Sequence, residues 1–572
     1  MEIKNLTPFL AVSGQIDPGE VGALASRGYH TIVNNRPDGE AEGQPSSDEL
    51  EQAARRHGMD YRHIPITPGL LTEDKVAEFA AAMDEVKGPV LAFCRTGNRS
   101  ASLWALSEAR HLDPDVILRT TEQAGYDLHG LRSRFDAIAG ATAPPRQAQR
   151  GKSADVVVIG GGAGGIATAA SLLKRRPGLS IILIEPRDVH YYQPGWTLVG
   201  GGVFDRRSTQ RSMSSVMPEQ VTWLKTAVAT FAPDRNEITL EDGSRVTYRV
   251  LVVAPGLKLD WDAIPGLPGT LGKNGVTSNY LFDMAPYTWE LTQSLRQGRA
   301  LFTQPPMPIK CAGAPQKAMY MSCDHWRRSG SLKDIEVEFH SAGAVLFGVK
   351  EYVLALMDYV KSYGIGLNLE SRLIAIDGPG RTATFATPGG EATREFDMIH
   401  VVPPQTAPDF IRQSPVAGES GWVDVRQETL QHSRFGNIFA VGDVSSAPNA
   451  KTAAAVRKQA PVVAVNVLDV LDGRSPHAVY DGYGSCPLTV ERGKIVLAEF
   501  GYGGRLQPSF PKWLIDGTKP SRLAWLLKEK LLPPIYFELM LKGHEWLAGP
   551  QLLPHAPAPH TSAADFAGRI GS

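Results

Sequence analysis

An unbroken apolar run, Asp155-Val-Val-Val-Ile159, leads straight into Gly160-Gly-Gly162-Ala-Gly-Gly165 and an alanine-rich stretch. No other feature limits the fold so narrowly. Bounded by glycine, the run reads as a strand buried on both faces, and the alanine-rich stretch as a helix. Gly160, Gly162 and Gly165 have the GxGxxG spacing. Glycine there permits a tight turn, lets backbone N–H groups approach a pyrophosphate and brings a helix N-terminus to the anion. Ile181-Ile-Leu-Ile184 supplies a second strand. It ends at Glu185, twenty residues past Gly165, placed to accept a hydrogen bond from a ribose hydroxyl. Strand, glycine turn, helix, strand and acid in register predict an α/β domain that binds a dinucleotide.

The chain has 572 residues, too many for one core, and room for about three or four units. We divide it into an α/β domain (1–140), a linker (141–153) centred on AGATAPPRQAQRGKS, an oxidoreductase region (154–475), a C-terminal part (476–549) and a Pro/His/Ala tail (550–572). A formal charge of −1 provides no general field for nucleic acid. Four cysteines without a CxxC spacing make a disulfide framework, structural zinc, iron–sulfur cluster or covalent haem a poor fit, so no metal is expected. The opening MEIKNLTPFLAV lacks the charged-then-apolar order of a signal sequence, and no run of 18 apolar residues occurs. These features predict a chain that stays on the cytoplasmic side.

Asn437-Ile-Phe-Ala-Val-Gly442-Asp443 resembles the second flavin signature of two-dinucleotide-domain flavoproteins, in which the Asp binds the ribityl chain. Val252-Val-Ala-Pro-Gly256 resembles their intermediate strand. In series with the first motif these stretches imply FAD. Such proteins carry a second glycine triplet for NAD(P)H in mid-chain. The equivalent place is expected at Ile335–Gly348, where the triplet is missing, so a nicotinamide is a poor fit and another reductant is needed.

The stretches Tyr192-Gln-Pro-Gly-Trp196-Thr-Leu-Val-Gly200, Cys311-Ala-Gly-Ala-Pro-Gln-Lys317, Lys451-Thr-Ala-Ala-Ala455 and Ser485-Cys486-Pro-Leu resemble the sulfide:quinone oxidoreductase family, in its mitochondrial-like branch, over about residues 155–547. The resemblance implies tandem Rossmann-type flavoprotein domains, with Lys451 among the cofactor contacts. It implies a redox disulfide between Cys311 and Cys486 beside the flavin. Hydrosulfide attacks Cys486, which becomes the persulfide; Cys311 leaves as a thiolate and passes electrons on. Lys317 and Lys528 match lysines lining the sulfur-acceptor path, while Cys323 reads as a buried structural thiol. The implied partners are hydrogen sulfide, a quinone, a sulfane-sulfur acceptor (sulfite, glutathione or coenzyme A), a membrane surface and, in a homo-oligomer, further copies of the chain. A type II NADH:quinone dehydrogenase with a docking domain is the alternative; it needs an NADH site and no cysteine pair.

Leu523, Leu526, Leu527 and Leu531 fall at helical spacing, Pro533-Pro534 is expected to break the run, and Ile535–Lys542 starts again. Each piece is too short and too charged to span a bilayer, so a hairpin of amphipathic helices lying in the interface is expected, which makes the protein peripheral to the cell membrane. The same pattern also suits a core cover. In the first domain, Val90-Leu-Ala-Phe93 ends in Cys94-Arg-Thr-Gly97-Asn-Arg99-Ser100. A Cys in a Gly-containing loop that opens a helix sits among backbone N–H groups, and arginine charge favours its thiolate. Protein tyrosine phosphatases have five residues between Cys and Arg; Cys94 and Arg99 have four, which suits a rhodanese-like sulfur carrier. The domain order and Asn34-Asn-Arg36-Pro-Asp38-Gly-Glu40 resemble small phosphatase-like domains, with Asp38 as the nearby acid. Fusion to a module that would make a bound persulfide favours a sulfurtransferase that receives or relays sulfur through Cys94 over a phosphatase or a docking module.

Overall fold

The computed structural model describes residues 3–141 other than 8, 87, 111 and 113, and residues 152–554; most of the expected linker (142–151) and of the expected tail (555–572) lies outside the described residues. Two compact units emerge: Met1–Gly151 with Glu241–Ser244, and Lys152–Leu240 with Arg245–Ser572.

The strands of the first unit are β1 (Ile3–Asn5), β2 (Leu10–Ser13), β3 (Thr31–Asn34), β4 (Asp60–His63) and β5 (Val90–Phe93), arranged β1-β2-β5-β3-β4. Only the β1–β2 pair is antiparallel. Because side chains alternate along a strand, Val90 and Ala92 face one core, with Phe79, Leu103 and Phe135, while Leu91 and Phe93 face another, with Ile16, Leu24 and Leu50. A central strand covered on both faces must be apolar throughout, as β5 is. Cys94 follows it at its C-terminal end.

The second unit begins with β6 (Lys152–Ile159), the helix Ala163–Arg175 and β7 (Ile181–Ile184). Its first sheet runs Val221–Leu224, β7, β6, Arg245–Val253, Glu237–Leu240, Val228–Ala232, and Ile438–Ala440 pairs in parallel with Arg245–Val253. That pairing returns Gly442-Asp443 to the sheet that carries the glycine turn.

A second parallel sheet runs Val276–Thr277, Met398–His400, Gly298–Gln304, Ile335–Ser341, Gly366–Asn368. Its order reverses beside Gly298–Gln304, so the place for a second glycine turn is the loop after that strand and not Ile335–Gly348. Local pattern cannot distinguish two neighbouring apolar strands; their positions in the sheet do. The loop holds Pro305, Pro306, Pro308 and Cys311 instead of a glycine triplet. The expected lack of a nicotinamide turn therefore applies to a different loop from the one first considered.

The hairpin Gly484–Glu491 and Lys494–Phe500 packs Leu488, Val490, Val496 and Ala498 against Ala318, Met319, Tyr320 and Trp326 of the helix Ala314–Ser329. The segment after it departs from expectation. Pro533 and Pro534 do not break the run: they lie in the helical piece Leu532–Pro534, between π-helical turns at Leu527–Leu531 and Ile535–Leu539. Wider turns on both sides accommodate residues that cannot donate a backbone hydrogen bond. Tyr536, Phe537, Met540 and Leu541 are buried in the nucleotide-domain core, so the second half of the segment is a core cover rather than an arm of an interfacial hairpin. Leu523, Leu526 and Leu531 stay about half exposed. Among the described residues, no helix is long and apolar enough to cross a membrane.

Candidate active site

The glycine turn has the shape its spacing predicts. Gly160 adopts φ +102°, and a Cβ there would lie 2.3 Å from the Ala254 carbonyl oxygen. At Gly165 a Cβ would lie 1.9 Å from the Gly160 oxygen, so only glycine lets the helix pack this closely. Gly162 instead faces open space, which is what a backbone meeting a ligand requires. Glu185 stands at the end of β7; its Oε2 accepts from the Gly161 N–H at 2.8 Å and its Oε1 from the Arg187 N–H. The residues therefore fit the adenine dinucleotide half of the expected FAD.

The other half converges on Asp443 and Lys451. Burial raises the Asp443 pKa, opposed by the charges of Lys451 and Lys310. The Lys451 ammonium donates to the carbonyls of Asp443 (2.6 Å) and Ser445 (2.9 Å), lies over the Trp422 ring, and is pushed down to about 8 by burial. Lys310 was not foreseen. Its ammonium donates to Gln193 Oε1 at 2.7 Å, sits near the faces of Trp196 and Tyr280, and is also brought to about 8 by burial. Trp196 Nε1 and both amide atoms of Asn279 are buried without a protein partner. Unsatisfied buried polar atoms are costly, and a polar ring system would satisfy them. This donor and acceptor set fits a flavin.

Beside it the two distant cysteines meet. Cys311 Sγ lies 3.8 Å from Cys486 Sγ, both as free thiols. Cys486 is carried by the hairpin strand Gly484–Glu491, and Cys311 by the turn before the helix Ala314–Ser329. The Cys311 N–H donates to the Lys451 carbonyl at 2.9 Å, and Tyr280 Oη donates to the carbonyls of Lys310 and Cys311. These bonds hold Cys311 at φ +48°, a left-handed conformation that a non-glycine residue keeps only when its surroundings enforce it. Gly313 creates the space for the contact: a Cβ there would lie 2.4 Å from Cys486 Sγ and 2.5 Å from Leu488.

The charges around the pair are unequal. The Lys317 ammonium, almost wholly buried, donates to Cys311 Sγ at 3.1 Å. The hydrogen bond from Cys486 holds the Cys311 pKa well below the usual thiol range against burial, and the Lys317 and Lys528 charges help. Cys486 is driven the other way, by the same hydrogen bond and by burial. In the reduced pair Cys311 is the thiolate and Cys486 keeps the proton. Burial works against the Lys317 ammonium, yet the two sulfurs raise its pKa. Lys528, buried on the first π-helical turn, is brought down to about 7 by burial and by Lys317. Cys323 is fully buried, and burial pushes its thiol pKa up. Of the expected residues, Cys311, Cys486, Lys317 and Lys528 form one cluster, with Asp443 and Lys451 adjoining it. Gly313 was also missed; only the three-dimensional path of the hairpin reveals it.

Cys94 and Arg99 belong to the first unit. Cys94 is buried, and its Sγ accepts from the Gly97 N–H at 3.2 Å at the start of the helix Asn98–Glu108. Gly97 has φ +90° and leaves no room for a Cβ, which would meet Tyr126 Oη at 2.1 Å. Asp38 Oδ1 accepts from the Ser47 N–H and steadies the helix Ser47–Arg56. The acidic residue at Arg99 is Glu40, with Nη1–Oε1 at 2.8 Å.

Comparison with known proteins gives matches to two different families in two separate stretches of the chain. Residues 154–300 match the pyridine nucleotide-disulphide oxidoreductase family, and residues 2–111 match the family described as Beta-lactamase hydrolase-like protein, phosphatase-like domain. "Sulfide:quinone oxidoreductase, mitochondrial" from Dictyostelium discoideum is 42% identical over 391 residues, 68% of this chain and 86% of the relative. "Beta-lactamase hydrolase-like protein" from Xylella fastidiosa is 41% identical over 130 residues, 22% of this chain and 30% of the relative. The solved sulfide:quinone oxidoreductase of Aquifex aeolicus has a TM-score of 0.58 at 20% identity, over 69% of this chain and 92% of that one, and shares the fold.

Proposed function

Because the chain belongs to the sulfide:quinone oxidoreductase family, we propose that Cys311 and Cys486 are the residues through which it works. It is an FAD-dependent enzyme that oxidises sulfide and reduces a quinone. The observation that carries the cysteine assignment is the 3.8 Å approach of two sulfurs 175 residues apart, with an ammonium on one of them. Rotating the side chains brings such a pair to the disulfide length of about 2 Å. Hydrosulfide then attacks Cys486 Sγ and the Sγ–Sγ bond breaks. Cys486 gains a sulfur atom as a persulfide, and Cys311 departs as a thiolate. The better leaving group is the sulfur whose thiolate is better stabilised, and Cys311 is the one on which the Lys317 ammonium is aimed, at 3.1 Å. A nucleophilic acceptor takes the outer sulfur from Cys486, and closure of the disulfide releases two electrons. FAD, held by the glycine turn, Glu185, Asp443 and Lys451, would supply the two-electron acceptor through which that pair reaches the quinone.

Reducing the purified flavoprotein anaerobically with sulfide and, separately, with NADH tests this reading. Sulfide should bleach the flavin within turnover time while NADH does so slowly. The reverse would favour the dehydrogenase reading, against which stands the loop Pro305–Gly313, with prolines where a nicotinamide needs glycine.

The quinone requires a route to lipid, and exposed Trp513, Leu514, Leu523, Leu526 and Leu531 among Lys512, Lys519, Arg522 and Lys530 support peripheral attachment through this surface. Replacing Leu523 and Leu526 by Glu should release the protein from anionic vesicles.

The Cys94 loop supports sulfur relay. A Cys94 thiolate attacking the outer sulfur of a persulfide would become the persulfide and release the donor thiolate, with no net change of oxidation state. The relayed sulfur then goes to a thiol acceptor, glutathione or coenzyme A, while sulfite takes sulfur directly from Cys486. Cys94→Ser should lower the yield of glutathione or coenzyme A persulfide; an unchanged yield with both acceptors would leave a docking role.

A further inference from the structure

Resting on the sulfur-relay reading of Cys94, we propose that Glu40 is a built-in occupant of the oxyanion position beside this loop, so that the loop takes sulfur from thiol-borne persulfides and excludes tetrahedral dianions such as phosphate esters and thiosulfate.

A cysteine loop that grips a tetrahedral dianion does so with backbone N–H groups and an arginine fork that is open to the ligand. Here Glu40 already occupies the paired prongs of the fork, and Arg99 also interacts with the Cys94 sulfur. Arg99 Nη1 lies 2.8 Å from Glu40 Oε1, and Nη2 donates to Glu40 Oε2 at 2.9 Å, a two-pronged pair. Arg99 Nη1 also donates to the Ile66 carbonyl at 2.6 Å. The second arginine in reach, Arg36, is committed as well: its Nε donates to Glu40 Oε2 at 2.6 Å and its Nη1 to Gln15 Oε1 at 2.8 Å. His63 Nε2 lies 3.0 Å from the Arg36 carbonyl and holds that backbone in place. The Glu40, Arg36 and Arg99 side chains are 13%, 6% and 15% exposed, so the triad is largely withdrawn from water. The hydrogen bond from Arg99 leads in holding the Glu40 carboxyl below its ordinary range, so it stays ionised at neutral pH.

The charge sum has a chemical consequence. Two guanidinium groups against one carboxylate leave a single positive charge, which a Cys94 thiolate cancels. An incoming dianion would have to displace Glu40 or lie against it, and a buried like charge is strongly repelled. A persulfide presents one terminal sulfur and at most one negative charge. It needs only access to the Cys94 sulfur and the N–H groups around it, of which Gly97 is already aimed there. A phosphatase-like scaffold carrying this carboxylate is disarmed as a phosphatase.

The test is binding of inorganic phosphate to the full-length protein by isothermal titration calorimetry, with Glu40→Gln as the variant and Glu40→Gln/Arg99→Ala as its control. Wild type should bind phosphate no more tightly than millimolar. Glu40→Gln should bind at least about tenfold tighter, and the double variant should lose that gain. Tight binding to wild type would overturn the proposal without any variant having to fold. Equal binding by wild type and a folded Glu40→Gln would overturn it too. Phosphate binding does not depend on whether Cys94 carries sulfur, so failure here and failure of the Cys94→Ser experiment are separable.

Discussion

The two cysteine sites of this chain place cations beside sulfur in opposite ways. In the second unit, the lysine at Cys311 is aimed at the sulfur itself and has no carboxylate partner in the contact. In the first unit, the arginine near Cys94 interacts with the sulfur but shares its charge with the Glu40 carboxylate and bonds the Ile66 carbonyl. An ammonium free to face a thiolate stabilises charge that appears during a reaction. A guanidinium already paired shapes a site and screens what enters it. The first arrangement suits bond breaking between two sulfurs; the second suits handing one sulfur on.

The sharpest way to break this contrast is to remove a member of the pair. Cys311→Ser or Cys486→Ser should lower sulfide-dependent quinone reduction by on the order of a thousandfold or more, because no disulfide remains to be attacked. Steady-state quinone reduction measures it; near-wild-type turnover would end the mechanism. Gly313→Ala should cost about ten- to a hundredfold, since its methyl group occupies space now filled by Cys486 Sγ and Leu488 and forces the sulfurs apart. A crystal structure of the variant should show the longer separation.

Charge changes should cost less. Lys317→Met removes the ammonium from Cys311, so its thiolate should form only at higher pH and its alkylation at neutral pH should slow by about tenfold. The pH profile of iodoacetamide labelling reads this directly. Lys528 gives the smallest effect. Brought down to about 7, it is an ammonium below that pH and an amine above it. Its attraction for an anionic acceptor is therefore lost as pH rises through about 7. The ratio of sulfite-dependent to glutathione-dependent turnover should fall a few-fold more steeply across that window in wild type than in Lys528→Met.

Parts of this comparison were readable in the sequence, and the reason differs from residue to residue. Gly160, Gly162, Gly165 and Glu185 are legible because turn, helix and acid lie within one βαβ unit, where spacing along the chain fixes spacing in space. Cys311 and Cys486 carry no such local signature; their association came from resemblance alone, since a separation of 175 residues leaves periodicity silent. Gly313 and Lys310 escaped notice because their importance depends on what a remote hairpin and two aromatic rings bring to them. Glu40 stands two residues from Asp38, and sequence alone does not separate them; hydrogen bonding does, with Asp38 on the Ser47 N–H and Glu40 on Arg99. Ile535–Lys542 misled for a related reason: apolar periodicity identifies a face to be covered, whether by lipid or by the protein's own core.

The central claim is that sulfide is oxidised at the Cys311–Cys486 pair, with Cys486 as the atom attacked. Treating the oxidised full-length enzyme anaerobically with one equivalent of sulfide, blocking thiols by alkylation and mapping the peptides by mass spectrometry tests it in one step. The account predicts one extra sulfur on Cys486 and a simple alkylated thiol on Cys311. Extra sulfur on neither residue, or on Cys311 with Cys486 unmodified, would contradict it.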